Sequence, residues 1–233
     1  LILFGPKHVI DIVEGPLFPI SAYTHITFVI EHQPLGSSGA QAKAVNYVSK
    51  DTDFVMALSD DIVLLEKGWD VTILENFVRR ERVTGSNLFC LGPRMPWGGV
   101  NVMFGKAYPT LPLMRKSSVD RIGWYDPIFY SRYGDNDLGM RIWANGGRVE
   151  WTERPTISVH PDNARNGMTV REDDRSKFLA RWQSKFPDWP DDPAKYDCGI
   201  DMDKINHFLG NTANFDSCIS YHDARRKAGH LGY

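Results

Sequence analysis

Two kinds of apolar pattern take turns along the first two-thirds of the chain. Short runs rich in β-branched and aromatic residues read as strands: "LILFGP" closed by Gly5-Pro6, then "THITFVIEH", "DFVMAL", "NLFCLGP" and "RVEWTERPTISVH". Between them lie stretches with apolar residues at helical spacing. "AQAKAVNYVSK" is predicted helical, with Ser38 as its cap. "KGWDVTILENFVRRER" puts Trp69, Ile73, Leu74 and Phe77 on one face. "DNDLGMRIWANGG" does the same with Leu138, Ile142 and Trp143, and stops at Gly146-Gly147. A short helix and a turn are expected in "SSVDRIGWYDPIFY", and a loop with an irregular strand in "PWGGVNVMFGKAYPTLP". After His160 the chain turns polar. One more amphipathic helix, "KFLARWQSKF", follows, and from "PDWPDDP" onward loops and one or two short helices are expected.

Strands alternating with helices predict an α/β fold, with a mostly parallel central sheet flanked by helices and a C-terminal loop and helix extension. In open sheets of this kind, ligands bind beyond the carboxyl ends of the strands. Composition narrows the partners. The 233 residues are 42% hydrophobic and 24% charged, with a net charge of −2, so no basic field suggests a polyanion partner such as nucleic acid. Cys90, Cys198 and Cys218 form no metal-binding spacing; free thiols in a reducing, cytoplasmic setting are expected, with a Cys198–Cys218 bridge as the lesser alternative. No apolar run reaches transmembrane length, although attachment to a membrane from outside, or membership of a larger polypeptide, stays open. "LILFGP" reads as a strand entered mid-chain, so a preceding segment is expected.

Three places carry candidate chemistry. Asp60 and Asp61 follow "DFVMAL", at a strand end where buried charge is costly unless something positive sits there. Two hard oxygen donors suit Mg²⁺ or Mn²⁺, while a solvated turn is the commoner meaning of such a pair. Asp135 and Asp137 open a helix, where the dipole favours anions; one of them suffices for capping, and the other is placed to act as a general base. His160 follows a strand, and its imidazole could join Asp61 on a metal.

Taken in order, "GSSGAQAKAVNYV", "DFVMALSDDIVLLEKGWD" and "SSVDRIGWYDPIFYSRYGDNDLGMRIWANGGRVEW" resemble the family 2 glycosyltransferases of GT-A fold. There a Gly-Ala-Asn helix precedes a strand ending in D-x-D and Lys-Gly-Trp, followed by an "iGgfDe.f" turn and an "ED-x-DL..R....G" segment. The resemblance implies that Asp61 binds the Mn²⁺ or Mg²⁺ that bridges a nucleotide diphosphate, that Asp60 lies near the ribose or donor sugar, and that Ser59 replaces the first acid. It implies that Asp135 is the catalytic base, with Gly134 where the family has Glu. Asp137 and Arg141 match the second acid and the arginine, and are expected to be structural. Gly123, Trp124 and Asp126 match the turn that lines the acceptor pocket, and His160 a further metal or diphosphate ligand. "LILFGP" looks like the family's second strand, so the expectation is that either the first βα unit is missing or nucleotide recognition is altered. Gly5 and Pro6 then stand where that strand meets the nucleotide, and Gly39 and Asn46 belong to the helix beside it.

The activity implied is inverting, metal-dependent transfer of a sugar from a nucleotide-diphosphate donor to a hydroxyl of a glycan, protein or small molecule. Residues 1–160 would form the catalytic domain and residues 161–233 an extension on or near the site. Its polar opening, "PDNARNGMTVREDD", reads either as a loop that orders over donor or as a surface linker. A sugar-nucleotide nucleotidyltransferase and a non-catalytic glycan- or partner-binding module are the alternatives.

Overall fold

The computed structural model describes residues 2–5, 27–59, 62–94, 102–103, 106–159 and 173–185. The first parallel pair joins β1 (Ile2–Gly5) to β2 (Thr27–Ile30). Next come α1 (Gly36–Ala44), running into a 3₁₀ turn at Val45–Tyr47, then β3 (Phe54–Met56) and β4 (Ile62–Leu64). Helix α2 (Trp69–Thr84) leads to β5 (Phe89–Arg94) and to the small ribbon of β6 (Val102–Met103) and β7 (Lys106–Ala107). After β8 (Leu113–Arg115) come α3 (Lys116–Ile122), α4 (Gly134–Ala144), β9 (Arg148–Pro155), β10 (Ile157–Val159) and α5 (Asp173–Trp182).

The central sheet has the order β3-β8-β5-β9. Strand β8 is antiparallel to both of its neighbours, and β9 is parallel to β5. So β3, β5 and β9 run the same way, as the alternation predicted, and one reversed strand is inserted between them. Strand β8 has no counterpart in the sequence reading. "LMR" is too short to display a period of two, and it follows the Pro-rich stretch without a turn signal of its own.

Alternation along β5 divides the core. Phe89 and Leu91 point to one face, where Ile73 and Phe77 of α2 meet them, with the Phe77 and Phe89 rings edge-on at 5.0 Å. Cys90 points to the other, among Met114, Leu138, Ile142 and Val149. The Cys90 thiol is free and buried, and that burial pushes its pKa well up. Cys198 and Cys218 lie outside the described residues, as does everything expected after "PDWPDDP". Among the described residues no helix is long and apolar enough to cross a membrane.

Helix α2 sits between two left-handed glycines, Gly68 and Gly85, which start and stop it. Its apolar face is narrower than expected. Trp69, Ile73 and Phe77, four residues apart, pack inward, whereas Leu74 is turned about 100° from Ile73 and is 37% exposed. Arg80 continues the inward face because its guanidinium meets Glu150 of β9 at 2.7 Å.

The start of α1 also departs from expectation. The helix begins at Gly36, so Ser38 lies inside its first turn, buried, and no side chain caps the helix. Tertiary contact sets this start. Gly36 has φ +70°, and a Cβ there would overlap the Tyr130 carbonyl, 2.7 Å from its carbon. Only glycine combines that backbone with that approach.

Candidate functional site

The loop 123–133 and the first turn of α4 form the site. Tyr133, at φ 65°, breaks the chain into α4, and Asp135 and Asp137 fall in the first turn as expected. Gly134 faces α1: a Cβ there would overlap Ser38 Oγ and lie 3.0 Å from Ser38 Cβ. This explains the glycine where the resembled family carries Glu. A longer residue at this position requires the Ser38 hydroxyl to rotate away and Ser38 Cβ and Tyr125 Cδ1, 3.0 and 3.1 Å from that Cβ, to give by a few tenths of an ångström.

Asp135 is half-buried, and its Oδ1 accepts the Asn136 amide at 2.9 Å. Tyr125 stands beside it. Burial raises the Tyr125 phenol well above its ordinary value, and the Asp135 charge raises it further. The phenol therefore stays a neutral donor or acceptor next to the carboxylate at any ordinary pH.

Asp137 is fully buried and fully used. Its Oδ2 accepts Arg141 Nε at 2.8 Å, and its Oδ1 accepts both Arg181 Nη1 and Trp182 Nε1 at 2.8 Å. Arg141 spends its remaining donors on the preceding turn. Its Nη1 reaches the carbonyls of Ile122 (2.8 Å) and Gly123 (3.1 Å), and Nη2 that of Trp124. The structural role expected of this acid and arginine is thus the one they have.

The turn residues serve the same frame. Gly123 ends α3 at φ +82°. The Trp124 ring is 5% exposed, packed in the main core and edge-on to Tyr125 at 5.4 Å. Asp126 Oδ1 accepts the Ile128 amide at 2.9 Å, and Oδ2 meets Arg181 at 2.8 Å. The motif correctly marked a turn, but the Trp124 side chain looks inward rather than out to an acceptor.

Of the remaining expected site residues, Gly5 ends β1 opposite Ile30. Gly39 is buried in α1, one residue beyond Ser38. Asn46 is exposed, its amide turned back to the Ala42 carbonyl at 3.5 Å; it lies eight positions from Ser38, about 12 Å along the helix, and is not brought to Asp135. Pro6, Asp60, Asp61 and His160 lie outside the described residues. Their chain neighbours are informative. In the antiparallel pair β4–β10, Ile62 stands opposite Val159, so the residue after Asp61 faces the residue before His160. Among the described residues no group of three or more His, Cys, Asp or Glu could hold a metal ion.

Sequence reasoning gave Ser38 a capping role and missed Tyr125, Arg181, Trp182 and Asp174. Asp174 Oδ2 accepts the amides of Ser131 at 2.8 Å and Arg132 at 3.0 Å, and Oδ1 that of Tyr130 at 3.0 Å. These partners are about forty residues apart, and no local pattern announces them.

Asp126 and Asp174 give the site a pH signature. Burial alone would raise both carboxyls. The amides and the Arg181 and Lys177 charges outweigh it, and both end below the ordinary value. The unfolded chain therefore takes up protons first as pH falls. The stability they contribute is complete above the unfolded aspartate pKa of about 3.9 and is lost as pH drops through the folded values. Urea midpoints are expected to fall on acidification below about pH 4, less steeply in Asp174→Asn.

No family model and no curated protein matches the sequence. Solved structures do. GalNAc-T7, determined with UDP, GalNAc and Mn²⁺, superposes with a TM-score of 0.52 at 10% identity, over 96% of this chain and 45% of that one. This chain thus spans under half of that protein's length. The catalytic domain of Drosophila β1,4-galactosyltransferase 7, in complex with xylobiose, gives 0.47 at 13% identity, over 77% and 79% of the two chains. With its helix-flanked mixed sheet and reversed β8, this chain has the GT-A-like fold of glycosyltransferase catalytic domains.

Proposed function

We propose that this chain is a glycosyltransferase that moves a sugar from a nucleoside-diphosphate donor to an acceptor hydroxyl, with inversion and with help from a divalent cation. The observation that carries it is the β4–β10 register, which sets the neighbours of Asp61 and His160 opposite one another although they are nearly a hundred residues apart in sequence. A carboxylate and an imidazole are a fitting donor pair for Mn²⁺, and Asp60 adds a second carboxylate. The GalNAc-T7 structure contains UDP and Mn²⁺, which supports the same ligand class here. Bound there, the cation supplies charge neutralisation for the departing diphosphate.

The chain's own residues do the rest. Asp135 takes the proton from the acceptor hydroxyl as the anomeric carbon becomes oxocarbenium-like. The Asn136 amide holds Oδ1 of Asp135 at 2.9 Å and so orients the carboxylate. Tyr125, neutral beside it, does not compete for the proton. The wall behind them is the Arg141-bound turn of Gly123 and Trp124. Residues 1–160 form the catalytic unit in this reading, and residues 161–233 the extension.

Asp61→Ala is the test. Calorimetry with UDP is expected to show that Mn²⁺ tightens binding to the wild type and no longer does so in the variant, a loss of about tenfold or more in affinity. Equal Mn²⁺-dependent affinity in the two proteins would remove Asp61 from the metal.

A further inference from the structure

Helix α5 presents one polar and aromatic face. Asp174, Phe178, Arg181 and Trp182 are spaced i, i+4, i+7 and i+8, so they line a single side. Among the described residues this side meets the site segment, the helix it opens, and Tyr108 beside them. Phe178 stacks on Tyr133 at 5.1 Å and tilts against Phe129 at 6.5 Å, and the three pack with Met140 and Trp182. At one end, Asp174 receives the consecutive amides of Tyr130, Ser131 and Arg132. Successive backbone N–H groups converging on one point make an anion nest, and the chain fills it with its own carboxylate. Two turns along, a single nitrogen, Arg181 Nη1, bridges Asp126 Oδ2 and Asp137 Oδ1, each at 2.8 Å. The same guanidinium lies 5.3 Å over the Phe129 ring.

We propose that α5 is a two-point clamp on the segment from Asp126 to Asp137, with Asp174 and Arg181 as positioning residues that set where Asp135 stands relative to the turn before it. This rests on Asp135 being the base. Between the two anchors lie Tyr133, which carries the positive φ, and the peptide into Gly134. A shift of either anchor rotates the first turn of α4 and moves Asp135 with it. Small displacements of a reacting group are costly: about 1 Å can lose a hundredfold in rate. Both anchors hold the segment that opens into Asp135, so the effect expected of loosening them is on turnover.

The experiment uses the full chain, Asp174→Ala, Arg181→Met and Arg181→Lys. Turnover is scored as UDP release from a set of UDP-hexoses with Mn²⁺, binding as the Kd for UDP with Mn²⁺, and local order as hydrogen exchange of peptides covering residues 126–137. Both Asp174→Ala and Arg181→Met are expected to lose about tenfold or more in turnover while UDP affinity stays within about twofold. Added sodium formate refills the emptied nest in Asp174→Ala. It is expected to restore turnover and slow exchange in that variant only. Arg181→Lys keeps the charge without the planar fork, and is expected to lie between wild type and Arg181→Met. Turnover falling in step with UDP affinity, or formate acting on neither turnover nor exchange, overturns the clamp. If the wild type neither binds UDP with Mn²⁺ nor releases it from UDP-hexoses, the transferase reading fails. The clamp is then decided by exchange alone: faster in both variants and slowed by formate only in Asp174→Ala supports it, and any other pattern overturns it.

Discussion

Asp135→Asn is expected to lower sugar transfer by about a thousandfold while leaving Mn²⁺-dependent UDP binding within about twofold of wild type. The substitution isolates one property. Asparagine has the same shape, and its Oδ1 can still accept the Asn136 amide that orients Asp135 at 2.9 Å. The first turn of α4, fixed by Asp137 beneath it, has no reason to move. What disappears is the ability to accept a proton from the acceptor hydroxyl. The magnitude follows from the usual contribution of a positioned base, about 10²- to 10⁴-fold. Steady-state transfer assays beside UDP calorimetry check both halves. A variant that retains transfer would take the base role from Asp135. A variant that loses UDP binding as well would place Asp135 on the donor side.

The elements were legible wherever one local pattern decided them. The β-branched run of β2 and the stop of α4 at Gly146 are written within a few residues and are legible in the sequence, while the left-handed Gly68 and Gly85 that bound α2 emerge from the structure. The failures share a cause. Ser38 has the chemistry of a cap, but Gly36 packs against the Tyr130 carbonyl, so the cap position falls at Leu35, three residues earlier, and Ser38 is buried against Gly134. Leu74 has the chemistry of a core residue, but the face toward β5 is filled by Ile73 and Phe77. Strand β8 exists because β3 and β5 leave room between them, not because three residues prefer extension. The site divides the same way. That Asp135 and Asp137 open a helix is local and was readable. That one is half-buried near Tyr125 while the other is sealed by Arg181 and Trp182 depends on α5, more than forty residues on. Two acids of identical type, separated only by Asn136, acquire different surroundings from contacts that no window of sequence contains.

That division of labour sets the second large effect. Asp137→Ala is expected to destabilise the fold by about 3–5 kcal/mol, the range seen when one partner of a buried ion pair is removed. The carboxylate is fully buried and receives Arg141 Nε, Arg181 Nη1 and Trp182 Nε1, each at 2.8 Å. Alanine leaves those three donors facing a void. Arg181 keeps Asp126 and Arg141 keeps its carbonyls, so part of the charge stays compensated, but the Trp182 indole, 3% exposed, has no water to turn to. A more solvent-exposed ion pair behaves differently. Lys116 and Asp120 sit four residues apart on α3, with Asp120 62% exposed, and Asp120→Ala is expected to cost under about 1 kcal/mol. Urea unfolding of the two variants checks the contrast. A double-mutant cycle of Asp137→Ala with Arg141→Met assigns the coupling, because removing both charges is expected to cost less than the two single losses summed. Equal, small losses for Asp137→Ala and Asp120→Ala would mean that Asp137 is solvated in solution. The frame that holds Asp135, the turn at Gly123 and the α5 clamp would then lose its common anchor.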